Sequence, residues 1–386
     1  MTLSTSGYSK TLAHAEIRNM SLECEKVGGI NLSQGICDLD IPQPVKEGAK
    51  QAIDEGFNQY TRYDGLPQLR ESIAKKMLGY NKIRSDPEKN IIVSVGSTGA
   101  FYSACLALLD PGDEVILFEP YYGYHLNTLL AAGAKPAYVK LKPPKWEFNM
   151  DELEGVTSAK TKGILINTPV NPCGKVFTKY ELVKLVEFSK RYDLFIFTDE
   201  IYEYILYDRL KHISPASIPG ARERTITISG YSKTFSITGW RIGYCVCDEK
   251  WANAIGRIND LVYICGPAPL QIGVSRGIDA LGDEFYKNLA RVYQEKRDKI
   301  SLALENTGLR PYIPQGAYYV LADVGSVPGK TSKEKAMYML KKTGVATVPG
   351  EAFYHDCGGE NLVRLCFAKE DEVLDDACER IKKIWG

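Results

Sequence analysis

Three reactive side chains stand just after short apolar segments of this 386-residue sequence. Asp199 and Tyr202 follow one apolar segment, and Lys233 follows another. A carboxylate in this position either caps the next helix or requires a cationic partner, because an unpaired buried charge is costly. A lysine amine nearby can serve as a nucleophile and as a general base. We therefore expect amine chemistry if the fold brings these residues together.

Groups that bind anions and flat rings follow other apolar segments. Ser97 and Thr98 stand in a turn of small residues that leads into a predicted helix, whose free N–H groups and positive end favour a phosphate. A serine N-cap would explain the same turn without a ligand. Tyr122 offers an aromatic face, and Asn171 offers an amide in a loop rich in proline. Arg241 supplies a second cation close to the predicted nucleophile.

Short β-branched segments alternate with amphipathic ones through the middle of the chain, which predicts strands joined by crossover helices. The predicted strands cover residues 91–95, 114–118, 137–140, 163–167, 194–198, 225–229 and 242–247. Several are apolar at consecutive positions, which is typical of a parallel sheet covered on both faces. Ligands of such sheets bind beyond the carboxyl ends of the strands. The pattern predicts an α/β core with the polar side chains at one rim.

The C-terminal part of the sequence predicts a second, smaller α+β unit. A long helix is predicted over residues 283–306, with Gly308 as its stop. The later predicted elements are a strand over 317–321, a helix near 333–342, a strand over 362–367 and a last helix to Trp385. We expect a large domain over residues 45–280 and a small domain over residues 281–386, to which residues 1–44 contribute as an N-terminal arm.

Composition and spacing argue against several classes of protein. The 48 basic and 48 acidic side chains cancel, so no overall charge attracts nucleic acid or an anionic membrane. No apolar stretch reaches the roughly 18 residues that a membrane span requires. Ten scattered cysteines without CxxC spacing, and the absence of a signal-peptide pattern, indicate a cytoplasmic protein. The histidines lack metal-ligand spacing, and residues 325–331 are one residue short of a P-loop, so we predict neither a metal nor a nucleotide site.

One ligand accounts for the polar residues at the rim together. A phosphate-binding turn, an aromatic ring, an amide, a carboxylate, a phenol, a lysine and an arginine would rarely meet there by accident. They suit a flat, phosphorylated cofactor that contains nitrogen and reacts with an amine. The sequence therefore predicts a site for pyridoxal 5′-phosphate.

Longer motifs around these residues resemble the class I and II aminotransferases, which are fold-type I pyridoxal-phosphate enzymes. The resemblance extends from Gly35 to Phe367 and is most specific at residues 171–174, 199–202 and 232–243. It implies a large domain in which a mostly parallel seven-stranded sheet lies between helices, and a smaller α+β domain.

The resemblance implies roles for the residues around the cofactor ring. Lys233 forms the Schiff base and, once displaced by substrate, carries the proton between the substrate and the cofactor. Asp199 pairs with the pyridinium nitrogen and keeps it protonated. Asn171 and Tyr202 donate to the phenolate oxygen, and Tyr122 stacks on the ring. Lys233, Asp199 and Tyr202 are therefore the predicted catalytic residues.

The resemblance also implies residues for the phosphate and for the substrate. The phosphate contacts Ser97, Thr98, Ser232 and Arg241. Tyr60 reaches the phosphate of a neighbouring subunit, which implies a homodimer. Arg364 binds the substrate carboxylate, with Gly35 and Asn171 beside it. On spacing alone, Arg364 could equally be a strand residue in a surface ion pair.

The implied activity is transamination between an L-amino acid and a 2-oxo acid. We expect aromatic or other large amino acids as donors and 2-oxoglutarate as a common acceptor. Thr98 stands where an aspartate-preferring subgroup has a lysine, which argues against acidic selectivity. Two alternatives share the resemblance: a C–S β-lyase, and a transcription regulator with an aminotransferase-like domain. The regulator needs a DNA-binding segment, for which the residues before Asn31 leave too little room.

Overall fold

The computed structural model describes residues 3–12 and 16–386 of the chain. The α-helices are α1 (Gly7–Thr11), α2 (Glu16–Lys26), α3 (Gln43–Asp54), α4 (Pro67–Lys76), α5 (Gly96–Leu108), α6 (Gly123–Ala131), α7 (Met150–Gly155), α8 (Lys179–Arg191), α9 (Glu249–Tyr263), α10 (Ala268–Ala280), α11 (Asp283–Glu305), α12 (Ser332–Thr343) and α13 (Asp371–Ile381). A π-helical turn, Met77–Asn81, extends α4. The strands are β1 (Ile30–Asn31), β2 (Ile91–Val95), β3 (Glu114–Glu119), β4 (Lys135–Lys140), β5 (Thr161–Asn167), β6 (Phe195–Asp199), β7 (Thr225–Gly230), β8 (Ile242–Val246), β9 (Arg310–Tyr312), β10 (Tyr319–Asp323), β11 (Val345–Ala346), β12 (Val348–Pro349) and β13 (Leu362–Cys366).

A seven-stranded sheet with the order β2-β8-β7-β6-β5-β3-β4 forms the centre of the molecule. Its pairs are parallel from β7 to β4, whereas β8 is antiparallel to both of its neighbours. All the strands predicted for this region are present, and their ends differ from the prediction by no more than two residues. The α/β fold with a mostly parallel sheet is confirmed.

Both faces of the central sheet are covered by apolar side chains. Consecutive residues of β6 point to different faces: Ile196 packs with Ile164 in one core, and Phe197 packs with Leu165 in another. Each of these side chains is at most 2% exposed. The runs of consecutive apolar residues in the sequence thus reflect a sheet that is buried on both sides.

A four-stranded antiparallel sheet, β12-β13-β10-β9, lies in the C-terminal part of the chain. The predicted helix over 283–306 is confirmed by α11, but the strand predicted over 317–321 is wrong by two residues and runs over Tyr319–Asp323. Ala317 has a φ of +60°, so the chain turns there before it becomes extended. β1 pairs with β11, which supports an N-terminal arm on this part. The domain boundaries stay a prediction.

Within residues 3–12 and 16–386, no helix combines the length and the apolar character that crossing a bilayer requires.

Candidate active site

A cavity of about 350 Å³ lies at the carboxyl ends of the central strands. It is lined by Ser97, Thr98, Tyr122, Tyr124, Asn167, Asn171, Asp199, Ile201, Tyr202, Ser232, Lys233, Thr238 and Arg241. Every residue predicted to bind the cofactor is in this set except Tyr60, whose side chain is 83% exposed. A larger cavity of about 530 Å³, between residues 144–150 and 173–184, contains none of the predicted site residues.

The turn after β2 is built to accept an anion. α5 begins at Gly96, and its N-cap residue, Val95, makes no side-chain cap, so the interpretation of Ser97 as an N-cap is wrong. Gly96 has a φ of +75°, and a β-carbon there would overlap with the Arg241 guanidinium. Arg241 also donates to the Thr238 carbonyl at 3.0 Å. The guanidinium therefore lies against the start of α5, whose free N–H groups favour an anion in the same place.

Asp199 ends β6 in a buried position with a partner for each oxygen. Its Oδ1 accepts from the Ile201 N–H at 3.1 Å, and its Oδ2 lies 2.8 Å from His125 Nε2. No helix follows Asp199, so the carboxylate stabilises a turn and contacts an imidazole. The sequence does not reveal the role of His125, because a histidine without metal-ligand spacing resembles an ordinary polar residue. Its position three residues after Tyr122, in the first turn of the helix that Tyr122 precedes, was the available signal.

The side-chain amide of Asn167 holds the loop over residues 167–174 against Asp199 through hydrogen bonds. Asn167 Nδ2 donates to the Asp199 carbonyl at 2.9 Å, and Asn167 Oδ1 accepts from the Asn171 N–H at 2.8 Å. This leaves the Asn171 side chain for the site, where its Oδ1 accepts from Arg364 Nη1 at 3.0 Å. One amide thus holds the loop in place, and the other faces the predicted substrate group.

Lys233 presents its amine to the cavity close to the predicted substrate residue Gly35. Its Nζ donates to the Gly35 carbonyl at 3.3 Å and lies 5.7 Å from the ring centroid of Tyr318. Burial, with a smaller contribution from the positive charge of Arg241, lowers the pKa of Lys233. A lowered pKa increases the fraction of neutral amine near neutral pH, and the neutral amine is the nucleophile.

Arg364 is fully buried on β13 and is not the surface ion pair that its spacing also allowed. Its Nη2 donates to the Ser33 carbonyl at 2.7 Å, and its guanidinium lies 4.1 Å from the ring centroid of Tyr319. In the described part of the chain, no carboxylate oxygen comes within 4.0 Å of Arg364, and its Nε has no hydrogen-bond partner. A buried cation without an acidic partner is suited to bind an anionic ligand.

A buried ionic cluster lies behind the turn that carries Asp199 and Tyr202. Lys76 Nζ lies 2.5 Å from Glu203 Oε1 and 3.0 Å from the Tyr244 hydroxyl. Although burial opposes it, the charge of Lys76 lowers the pKa of Glu203. Glu200 Oε2 lies 2.6 Å from His212 Nε2. One carboxylate oxygen each of Glu200 and Glu203 and one ring nitrogen of His212 lie within 4.8 Å of one another. The spacing of these residues in the sequence does not reveal this cluster.

We expect the Lys76→Met variant to lose about 3–5 kcal/mol of the free energy of unfolding, because it leaves the Glu203 carboxylate buried without a cation. Urea unfolding followed by circular dichroism measures this loss. Lys89→Met is the matched control, since Lys89 pairs with Glu249 at 3.4 Å and both side chains are more than half exposed; its expected loss is below about 1 kcal/mol. Equal losses in the two variants would contradict the role of the cluster.

Comparisons with known proteins agree with this site. The family description "Aminotransferase class I and II" matches residues 27–381. The aspartate aminotransferase of Pyrococcus abyssi is 36% identical, with 92% of this chain and 91% of that protein covered. Kynurenine–oxoglutarate transaminase 3 of Rattus norvegicus is 35% identical, with 92% and 85% covered. The structure of N-succinyldiaminopimelate aminotransferase from Mycobacterium tuberculosis matches with a TM-score of 0.95 and 32% identity, over 99% of this chain and all of that one. The chain therefore belongs to the class I and II aminotransferase family, has the fold of type I enzymes and catalyses transamination between amino acids and 2-oxo acids.

Proposed function

We propose that this chain binds pyridoxal 5′-phosphate through Lys233 and uses it to transfer the amino group of a large L-amino acid, in particular an aromatic one, to a 2-oxo acid such as 2-oxoglutarate. The observation that carries the proposal is the meeting of a lysine amine, a buried carboxylate and an anion-binding turn in one cavity. Enzymes of this family use that cofactor.

The residues of the cavity fit each part of the cofactor. The start of α5, with Ser97, Thr98, Ser232 and Arg241, offers donors and positive charge to a phosphate. Asp199, which is hydrogen-bonded to His125, offers a carboxylate to a protonated ring nitrogen. When bound, the cofactor supplies an aldehyde that reacts with amines and a ring that accepts electrons.

The remaining polar residues hold the ring and the reacting proton. Tyr122 lines the cavity and can cover one face of the ring, while Asn171 and Tyr202 can donate to its phenolic oxygen. Burial raises the pKa of Tyr122 and of Tyr202, so both phenols stay protonated near neutral pH. The Lys233 amine can hold a proton taken from the substrate α-carbon, because a lowered pKa increases the fraction of neutral amine that can act as a base.

The α-carboxylate of the substrate would bind the guanidinium of Arg364. A planar guanidinium matches a carboxylate with two parallel hydrogen bonds. Asn171 Oδ1 and the Ser33 carbonyl orient that plane without neutralising its charge. Fixing the carboxylate in this way orients the α-carbon toward Lys233, which is the geometric part of the catalysis.

A large side chain is the substrate class that we favour. Thr98 provides no cation for a second carboxylate, and the relatives include kynurenine–oxoglutarate transaminases and an aromatic-amino-acid aminotransferase of Thermococcus litoralis that is 34% identical. The aspartate aminotransferase of Pyrococcus abyssi is a relative of comparable identity, so the substrate class requires a direct test.

A homodimer in the cytoplasm completes the proposal. Tyr60 lies outside the cavity and is exposed, as expected of a side chain that serves a neighbouring site. Leu261 and Ile264, at the end of α9, are 81% and 51% exposed, and Tyr263 between them lies against Gly99 near the anion-binding turn. A second copy of the chain would cover these apolar side chains. All ten cysteines are free, which suits a reducing compartment.

A half-reaction screen tests the proposed function. The holoenzyme is mixed with each L-amino acid in the absence of a 2-oxo acid, and the absorbance of the bound cofactor and the release of ammonia are followed. We expect aromatic and other large amino acids to convert the cofactor once per site and to release no ammonia. Continuous ammonia release from a cysteine-type substrate would indicate β-elimination instead. A reaction with aspartate and glutamate alone would contradict the proposed substrate class.

A further inference from the structure

Tyr319, the first residue of β10, contacts both Tyr202, which would bind the cofactor, and Arg364, which would bind the substrate carboxylate. Its hydroxyl oxygen lies 3.2 Å from that of Tyr202, and its ring centroid lies 4.1 Å from the guanidinium carbon of Arg364. The side chain is buried, and the sequence motifs do not include it. Tyr319 therefore connects the residue at the cofactor ring with the residue at the substrate carboxylate.

The position of the Tyr319 hydroxyl depends on the absence of a side chain at Gly35. A β-carbon on Gly35 would overlap with the Tyr319 hydroxyl oxygen and crowd its ring. The Gly35 carbonyl also accepts hydrogen bonds from Lys233 Nζ at 3.3 Å and from the Tyr318 hydroxyl at 3.1 Å. Tyr319 thus lies directly beside the backbone group that contacts the predicted nucleophile.

The hydroxyl of Tyr319 can orient the proton of Tyr202. Burial raises the pKa of Tyr319 to about 12 and also raises the pKa of Tyr202, so both hydroxyls keep their protons near neutral pH. In this structure Tyr202 donates to Tyr319. A hydroxyl proton rotates freely, so the direction can reverse. With Tyr319 as the donor, the proton of Tyr202 is directed to an acceptor in the cavity.

The ring of Tyr319 supports the guanidinium of Arg364 without neutralising it. Phe353 also contacts this guanidinium, with its ring centroid 5.1 Å from the guanidinium carbon of Arg364. An aromatic face attracts a cation while leaving the edge of the guanidinium free for hydrogen bonds. This arrangement fixes the plane of Arg364 and keeps its charge available for a carboxylate.

We propose that Tyr319 is a positioning residue whose hydroxyl and ring have different roles that can be tested separately. Its hydroxyl donates to Tyr202 when a cofactor oxygen occupies the cavity, and its ring fixes the orientation of Arg364. This inference rests on the proposed function, because it assumes the cofactor and the carboxylate that these two residues would bind.

The Tyr319→Phe variant of the holoenzyme tests the hydroxyl. Without the Tyr319 hydroxyl, Tyr202 keeps only the Tyr318 hydroxyl as a neighbouring donor and binds the cofactor oxygen less strongly, so we expect the pH midpoint of the cofactor's absorbance change to rise by about half a unit to one unit. KM for the amino acid should stay within about twofold of the wild-type value, because the ring and its contact with Arg364 remain. An unchanged midpoint would overturn the role of the hydroxyl.

The Tyr319→Leu variant tests the ring. We expect the same shift of the midpoint and, in addition, a rise in KM of about 3- to 30-fold, because the aromatic face under Arg364 is lost. An unchanged KM would overturn the role of the ring. If this variant fails to fold, Tyr319→Met provides the same comparison, because methionine is a long, unbranched side chain without an aromatic face.

Tyr207→Phe is the matched control for a buried hydroxyl. Tyr207 donates to the Ala317 carbonyl, close to Tyr319 in the chain, and does not line the cavity. Its loss should move neither the midpoint nor KM. If wild-type protein given the aldehyde develops no visible absorbance, the proposed function itself fails. If the wild-type spectrum is normal but Tyr319→Phe leaves the pH midpoint unchanged, the role of Tyr319 is refuted and the proposed function still stands.

Discussion

Replacing Lys233 with alanine is expected to reduce kcat/KM for transamination by at least about 10⁴-fold, because the change removes both the nucleophile that binds the cofactor and the base that moves the substrate proton. In the described part of the chain, the residues lining the cavity include no second lysine that could replace it. The measurement is steady-state turnover with an aromatic amino acid and 2-oxoglutarate. A variant that keeps more than about one hundredth of the wild-type activity would contradict the role of Lys233.

The loss of activity in Lys233→Ala should occur without loss of the fold. Because burial lowers the pKa of Lys233, the unfolded chain binds its proton more readily than the folded protein does. At any pH below the ordinary value near 10.4, and most strongly below the lowered pKa, this shift opposes folding, so removal of the lysine does not destabilise the protein through this group. The thermal unfolding temperature should stay at or above that of the wild type. Lys250→Ala, which changes an exposed lysine on α9, is the control for activity.

The second large effect is expected at Arg364. Arg364→Leu should lower kcat/KM by about 10²- to 10⁴-fold for every amino acid, since two charged hydrogen bonds to the carboxylate are lost at about 1.5–3 kcal/mol each. Arg364→Lys keeps the charge but loses the planar fork, and we expect an intermediate loss. Binding of the cofactor should persist in both variants, because the residues proposed to hold the cofactor do not include Arg364.

Two measurements separate the role of Arg364 from a structural one. The absorbance of the bound cofactor should match that of the wild type, and the loss should be as large with a 2-oxo acid in the reverse half-reaction. Arg310→Leu is the control, because Arg310 is an exposed arginine of the same antiparallel sheet. Equal kcat/KM in Arg364→Leu and Arg310→Leu would show that Arg364 does not bind the carboxylate.

The main features of the fold could be predicted from the sequence because burial on both faces leaves a simple pattern. Residues 194–197 are apolar at consecutive positions, and that pattern identified β6, whose direction places Asp199 at its end and Tyr202 just beyond. The same reasoning failed at β10, where a positive φ at Ala317 delays the strand by two residues. A backbone conformation of that kind has no hydrophobic signature.

Side-chain partners were predicted less well than strands, because they depend on contacts between distant parts of the chain. His125 meets Asp199 across 74 positions, and Lys76 meets Glu203 across 127 positions. A histidine or a lysine in a helix reads as an ordinary polar residue until the fold is known. Tyr319 was missed for the same reason: its importance comes from the neighbouring Tyr202 and Arg364, and a buried tyrosine in a strand is common.

Chemical trapping of the cofactor tests the central claim most directly. Purified protein is incubated with pyridoxal 5′-phosphate, reduced with borohydride so that an imine becomes a stable secondary amine, digested and analysed by mass spectrometry. We predict one modified peptide with the pyridoxyl mass on Lys233, and no label in the Lys233→Ala variant. A label on a different lysine, or the absence of any label in the wild-type protein, would contradict the assignment of this cavity as the active site.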